Sequence, residues 1–476
     1  MSRIVSCAAR LRFFARIDDA AMDSKTQHLL SAPPLGLLIG LATPNSIAFF
    51  IQSFVSMAEV WVIGTLGTAP LAAIALAFPL LMLMQTLPGG ALGGAVASSI
   101  ARALGAGKPE RAERLIWHAL ALAAAGAGLI LLTFTLGGYT FLRFLGGSEL
   151  ILDYAYRYGF ILSLGGLGLW LVGVVTAIYR GMGDMRFPAS MMIVNAVIQV
   201  PLSICLVTGA FGLPALGVAG AAVSAVVVAA LVSTLMLLRL IYGNTLISLR
   251  RHPAVFSREL FADILRVFAP ASLSPLLTVA TIVSLTAIVG SFGEKALAGY
   301  GIGSRIEFLM IPLIFGLGAA MTSLVGMAIG AGDQARAERI GWIGSCCASV
   351  LAGSIGLLLA FTANAWIPVF TQDPEIHAAA LAYMRIVAPC FAFMGLGFSL
   401  YFASQGAGAM LWPVTATATR ILVAVGGALV FTRVIGMGLE GVFYAAAIAM
   451  VFYGVVIAAA LKLGAWRRTG SSAAPE

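Results

Sequence analysis

Asn45, Gln52, Ser56 and Glu59 stand 7, 4 and 3 residues apart in a strongly apolar stretch. On a helix they share one face. A carboxylate inside a membrane span costs roughly 2.5–3.5 kcal/mol at the bilayer centre, so Glu59 is expected to face a cavity. There it can take up and release a proton. The competing account is a solvated, idle Glu near the end of the helix. Asn195 and Gln199, four apart, also share a helical face. Taken alone, they read as amides that tie helices together. A second charged set lies further on, at Arg305, Glu307 and Arg420. Arg305 and Glu307 are two apart and point to different sides of a helix, so Glu307 needs another partner. Met82, Met84, Phe308, Met310, Phe315 and Phe391 are of types that adapt to varied apolar ligands. In apolar helices such side chains more often simply pack. Gly89, Gly90, Gly93 and Gly94 have the spacing of a close helix contact.

These residues sit in a chain of 476 residues that is 61% hydrophobic and 10% charged, with a mean hydropathy of +1.01. A soluble domain is about a quarter charged, so this is an integral membrane protein. Runs long enough to span a bilayer fall at 38–63, 69–95, 115–140, 152–178, 187–209 and 215–241, then at 263–290, 296–326, 339–368, 376–402, 410–433 and 438–463. That predicts an all-α fold of about twelve transmembrane helices. The expected divisions are a 1–33 cytoplasmic N-terminal segment, a 34–242 bundle, a 243–261 cytoplasmic linker, a 262–466 bundle and a 467–476 tail. The N-terminal stretch lacks the apolar core of a secretory signal; its arginines allow a transit-peptide reading, and Met22 is a candidate natural start.

The two bundles are read as copies of one unit. Gly105-Ala-Gly-Lys-Pro-Glu-Arg-Ala-Glu-Arg-Leu115 and Gly330-Ala-Gly-Asp-Gln-Ala-Arg-Ala-Glu-Arg-Ile340 agree at seven of eleven positions, 225 residues apart. The same offset carries Gly181-Met-Gly-Asp-Met185 onto Gly406-Ala-Gly-Ala-Met410, and Pro188 onto Pro413. It also carries Asn195 onto Arg420, which therefore should face the interior of the second bundle and pair with Glu307. An even number of helices per copy makes the repeat parallel, with a pseudo-two-fold along the membrane normal and a central cleft. With the N-terminus inside, 21 of the 28 Lys and Arg fall on inside segments and three on outside ones. Both termini are thus expected in the cytoplasm of a multi-pass cell (inner) membrane protein.

Pro44, Glu59, Gly64-Thr-Leu-Gly67 and Ala69-Pro-Leu-Ala-Ala73, followed by the duplicated Gly-Ala-Gly…Arg-Ala stretch and Tyr179-Arg-Gly-Met-Gly-Asp-Met-Arg-Phe-Pro188, resemble the pattern of the multidrug and toxic compound extrusion (MATE) transporters. The resemblance covers about 34–465. It implies a secondary antiporter that exports amphipathic, often cationic drugs or metabolites in exchange for H+ or Na+ by alternating access. It implies a bend in helix one at Pro44, a coupling carboxylate at Glu59 and an ion-linked amide at Asn195. Gln199 departs from the aspartate found in many members, which favours protons over a sodium cage.

Other classes fit less well. The net charge of +9 is dispersed over loops without interleaved aromatics, which argues against nucleic acid. The five cysteines and four histidines show no metal or disulfide spacing, so no metal and no cofactor beyond the coupling ion are expected. A flippase for lipid-linked precursors would need a strongly basic cavity, and only four arginines lie in spans. An intramembrane enzyme would need a His/Asp/Glu constellation that the chain does not offer. The expected partners are the bilayer and small substrates, with the protein working as a monomer.

Overall fold

The computed structural model describes residue 24 and residues 26–467, apart from 145, 147, 148, 244, 251, 254 and 309; at 79 and 80 only the backbone is described. The basic N-terminal stretch through Met22 and the tail beyond 467 lie outside the described residues. Helix makes up 88% of the structure, and no strand occurs among the described residues. Apolar side chains on every face, with all backbone groups bonded within the helix, are what a bilayer demands.

Twelve spans follow in order: α1 Pro34–Gly64, α2 Thr68–Phe78 with Leu81–Gly105, α3 Pro109–Phe144, α4 Leu150–Leu164 with Gly166–Gly181, α5 Arg186–Thr208 and α6 Val218–Tyr242. The second six are α7 Arg258–Gly290, α8 Glu294–Gly330, α9 Gln334–Phe361, α10 Pro374–Ala407, α11 Leu411–Val434 and α12 Gly438–Lys462. α2 bends by 52° and α4 by 55° at their breaks. α1 runs as one helix through Pro44, the residue expected to bend it, and the helix breaks with sharp bends lie in α2 and α4. α7 begins at Arg258, so its first turn takes in the end of the predicted linker.

The duplication is visible in backbone detail. Gly107 and Gly332 take the left-handed conformation at φ +67° and +77°, and Gly183 and Gly408 at +72° and +73°. At each of these turns the residue after the glycine donates back to a carbonyl five residues earlier: Lys108 to Ala103, Asp333 to Ala328, Asp184 to Tyr179 and Ala409 to Ser404, all at 2.9 Å. This is the Schellman closure that caps a helix C-terminus. The two copies also meet reciprocally. A Cβ on Gly105 would stand 2.1 Å from the carbonyl oxygen of Met327, and one on Gly330 would stand 2.1 Å from that of Arg102.

The loops carrying these glycines define one face of the molecule, the repeat face. Near it the halves are locked: α8 packs on α1 and α2, and α7 and α10 pack on α2. Toward the opposite face they part. Glu294–Phe308 of α8 packs on α7 and α10 of its own half, and Thr68–Thr86 of α2 packs mainly on α4 and α1. Packing between the halves is thus densest near the repeat face.

Candidate functional site

In the first bundle, α1 and α5 pack side by side and bring three polar groups into a chain. Asn195 Nδ2 donates to Gln199 Oε1 at 2.7 Å, and Gln199 Nε2 donates to Glu59 Oε1 at 2.7 Å. Gln199 is buried, while Glu59 and Asn195 are half-buried. Tyr158 of α4, which the sequence reading passed over, lies within electrostatic reach of Glu59. The amide donates to the carboxylate but cannot neutralise it.

The rest of the helix-one stripe does not join this cluster. Ser56 is exposed and donates to the carbonyl of Gln52 at 3.3 Å within its own helix. Asn45 is fully buried, donates to Met185 Sδ at 3.4 Å and leaves Oδ1 without a partner. It lies 14 residues from Glu59, roughly 21 Å at 1.5 Å per residue. One face of a long helix here meets different neighbours at different depths.

In the second bundle the expected Glu307–Arg420 ion pair is not formed. Glu307 Oε2 accepts instead from the hydroxyl of Tyr383 at 2.5 Å. Arg420 lies over the rings of Tyr453 and Phe398, 5.5 and 5.9 Å from their centroids. Tyr383 and Tyr300 stack edge to face, within electrostatic reach of both charges. Arg305 points elsewhere, as its spacing required, and is exposed. Of the candidate lining residues, Met84, Met310 and Phe391 are core, whereas Phe315 stacks edge to face on Phe49 and on Phe402. Gly94 meets the side chain of Gln405 from the other half.

Two sets of residues were missed by sequence reasoning. One is the use of the duplicated loop. Arg111 binds Glu259 at 2.7 Å and Asp263 at 3.2 Å at the start of α7, and Arg102 binds Asp263 at 2.9 Å. Arg336, its repeat partner, grips the carbonyls of Leu29 at 3.0 Å and Ala32 at 2.6 Å ahead of α1. Each repeat arginine thus holds the entry to the other half's first helix. The repeat glutamates stay at home: Glu113 accepts from Ser248 N after α6, and Glu338 pairs with Arg467 after α12. Seven shared positions were the signal, although sequence could not say what they bind.

The other missed residue is Arg180, 8% exposed at the end of α4. Its Nε has no partner, its guanidinium lies 5.2 Å from the centroid of Phe49, and its carbonyl accepts from Ser323 of α8. A cation–π contact of about 2 kcal/mol does not offset the several kcal/mol of a desolvated charge.

A duplicated chain of up to twelve spans, with its halves packed together at one face and an ionisable group inside each bundle, has the build of a membrane transporter. It belongs to the MATE family: the MatE model matches residues 44–205 and 270–430, one segment in each half. A relative from Shewanella oneidensis named an FAD transporter is 28% identical over 80% of this chain and 84% of its own length. One from Thermotoga maritima, named a probable multidrug resistance protein NorM, is 26% identical over 90% of this chain and 93% of its own. A solved MOP superfamily transporter from Pyrococcus furiosus, described as having a binding pocket of reverse polarity, superposes with a TM-score of 0.85 at 25% identity, covering 94% of this chain and 98% of that one. A MATE structure in the bent conformation gives 0.86 at 25% identity, covering 94% and 99%.

Proposed function

We propose that the protein is a proton-coupled antiporter that expels amphipathic drugs or metabolites, with Glu59 carrying the coupling proton. The chain Asn195–Gln199–Glu59 carries this reading: one carboxylate, held by neutral amides, inside the bundle. Sodium is disfavoured because the cluster offers a single charged ligand where hard cations gather several oxygens. The excess of Lys and Arg on the segments of the repeat face supports a cytoplasmic position for that face. The cleft then opens outward, and protonation of Glu59 from outside is the step that licenses the return to the inward-open state. One proton driven by about 150 mV supplies roughly 3.5 kcal/mol, a few hundred-fold gradient of cargo. The relative named an FAD transporter supports including endogenous metabolites among the cargo.

The test is substrate uptake into inside-out vesicles under a proton or a sodium gradient imposed separately. Uptake that follows the proton gradient and vanishes in Glu59→Gln is expected. Uptake driven by sodium alone, or undiminished in Glu59→Gln, overturns the assignment.

A further inference from the structure

We propose that the cavity between the ends of α7 and α11 farthest from the repeat face binds the headgroup of an anionic phospholipid, with Arg433 holding its phosphate. The inference is independent of what the transporter carries and of the ion that drives it.

The cavity measures about 350 Å³ and is lined by Ala287, Ile288, Ser291 and Phe292 at the end of α7, and by Leu429, Thr432 and Arg433 of α11. It accompanies an irregularity in α11. α5, its counterpart in the first half, is α-helical throughout Arg186–Thr208 and stops at Gly209, φ +77°. α11 reaches the matching left-handed glycine at Gly436, φ +78°. Pro188 to Gly209 is 21 residues, whereas Pro413 to Gly436 is 23. The two additional residues are taken up by two π-turns, Leu422–Gly426 and Val430–Val434. Such turns are rare and frequent at functional sites. α7 packs chiefly on Leu411–Ile421, ahead of the first π-turn; beyond it the two helices leave the cavity. The first half fills the same corner. Val62, Ile63 and Val207, at the ends of α1 and α5, belong to one apolar cluster and are at most 2% exposed. The fold therefore does not require an opening there.

Arg433 is the cation of this site. It is exposed, and among the described residues no carboxylate lies within ion-pair distance of it. Lys295, at the start of α8 on the same face of the molecule, is by contrast matched by Asp373 and Glu375 at 3.1 and 3.0 Å. Ser291 Oγ donates to the carbonyl of Ile288 and Thr432 Oγ1 to that of Ala428, each at 2.7 Å. With their protons engaged, both hydroxyls offer lone pairs to the cavity. A guanidinium donates to phosphate, the two hydroxyl oxygens accept from headgroup hydroxyls, and the apolar wall covers the start of an acyl chain. Ser291 directly follows α7 and Arg433 is the last residue but one of α11, so the site lies where two spans end and lipid headgroups begin. A choline headgroup has no hydroxyl to donate and balances its own phosphate.

The test is native mass spectrometry of the purified full chain in detergent. The probes are phosphatidylglycerol, phosphatidylcholine with the same acyl chains, and free glycerol 3-phosphate. The wild type should bind its first phosphatidylglycerol about tenfold more tightly than phosphatidylcholine. Arg433→Gln should reduce that preference to within about twofold, and Arg433→Lys should keep part of it. Arg143→Gln, which alters another exposed cation of the same face, should leave the preference unchanged. Ala287→Phe, which fills the cavity with Arg433 intact, should weaken phosphatidylglycerol by about three- to tenfold. All three positions are exposed, so the variants keep the fold. A preference that survives both Arg433→Gln and Ala287→Phe overturns the proposal. An equal loss in Arg143→Gln also overturns it, because surface charge in general would then be responsible. Glycerol 3-phosphate bound as tightly as phosphatidylglycerol would sink the lipid assignment and leave a site for small anions. Transport is not read in this experiment, so neither result bears on the antiporter reading.

Discussion

The two bundles share a scaffold and hold their carboxylates by different chemistry. In the first, Glu59 on α1 meets the amides of α5. In the second, Glu307 on α8 meets Tyr383, with Arg420 over aromatic rings. The repeat offset that carries Asn195 onto Arg420 places a neutral amide in one bundle where the other has a permanent cation. Either carboxylate changes by one unit of charge when it binds a proton; what differs is the donor it meets, an amide at Glu59 and a phenol at Glu307. On the antiporter reading proposed above, coupling falls to the first bundle and support to the second.

The sharpest way to break that division is to neutralise each acid. Glu59→Gln should lower proton-driven transport by about a hundredfold or more, because the charge whose movement couples the gradient is gone. Glu307→Gln should lower it by only a few-fold, the scale of one altered hydrogen bond. Equal losses in vesicle uptake would erase the distinction.

The supporting amide comes next. Gln199→Leu leaves Glu59 without its donor, and a net hydrogen bond to a charged group is about 1.5–3 kcal/mol. A roughly tenfold loss of transport is expected, with a shifted pH profile, while Gln199→Glu should keep transport and change its ion preference. A pH profile identical to wild type in Gln199→Leu would show that the amide is a spectator.

A third prediction concerns the repeat arginines. Arg111 pairs with carboxylates and Arg336 with carbonyls, so salt and substitution should act on them differently. Arg111→Ala leaves Asp263 with Arg102 alone and should cost about 1 kcal/mol of the closed repeat face, since the pair is half-exposed. Labelling of a cysteine placed at Ala101, buried against Gly326 of the other half, should rise several-fold. Arg336→Ala should loosen the segment ahead of α1 with no salt dependence, because its partners are uncharged.

The smallest effect is expected at Tyr383→Phe, which removes the donor to Glu307. It should lower thermal stability by about 1–2 kcal/mol with transport near wild type. The double change Glu307→Arg with Arg420→Glu should not rescue either single change, because Glu307 is bonded to Tyr383 and not to Arg420. Rescue in a transport assay would restore the direct pairing that the structure rejects.

Much of the architecture was legible beforehand. Twelve apolar runs and a 225-residue offset sufficed for helix number and duplication, because lipid imposes one solution on an apolar run and a repeat preserves its turn residues. Glu59 and the Asn195–Gln199 face were also legible, since ionisable and amide groups are rare and costly inside a membrane. Arg180 was not. It was taken for a cytoplasmic loop cation at the end of a span, and only the packing of α1 and α8 over it reveals a buried guanidinium. The Glu307–Arg420 pair failed for the same reason in reverse, because sequence placed both charges in one bundle without showing the tyrosine that Glu307 meets.

By itself the sequence determined the membrane class, the helices, the parallel repeat and the families of side chains available for chemistry, because these follow from hydropathy, periodicity and self-similarity along one chain. Only the tertiary structure decided which groups meet: that Glu59 takes an amide and Glu307 a phenol, that the halves pack together at the repeat face, and that Arg180 is buried with its Nε unpartnered. Those outcomes depend on how helices far apart in sequence rotate and lean against one another, and local sequence carries no record of that geometry.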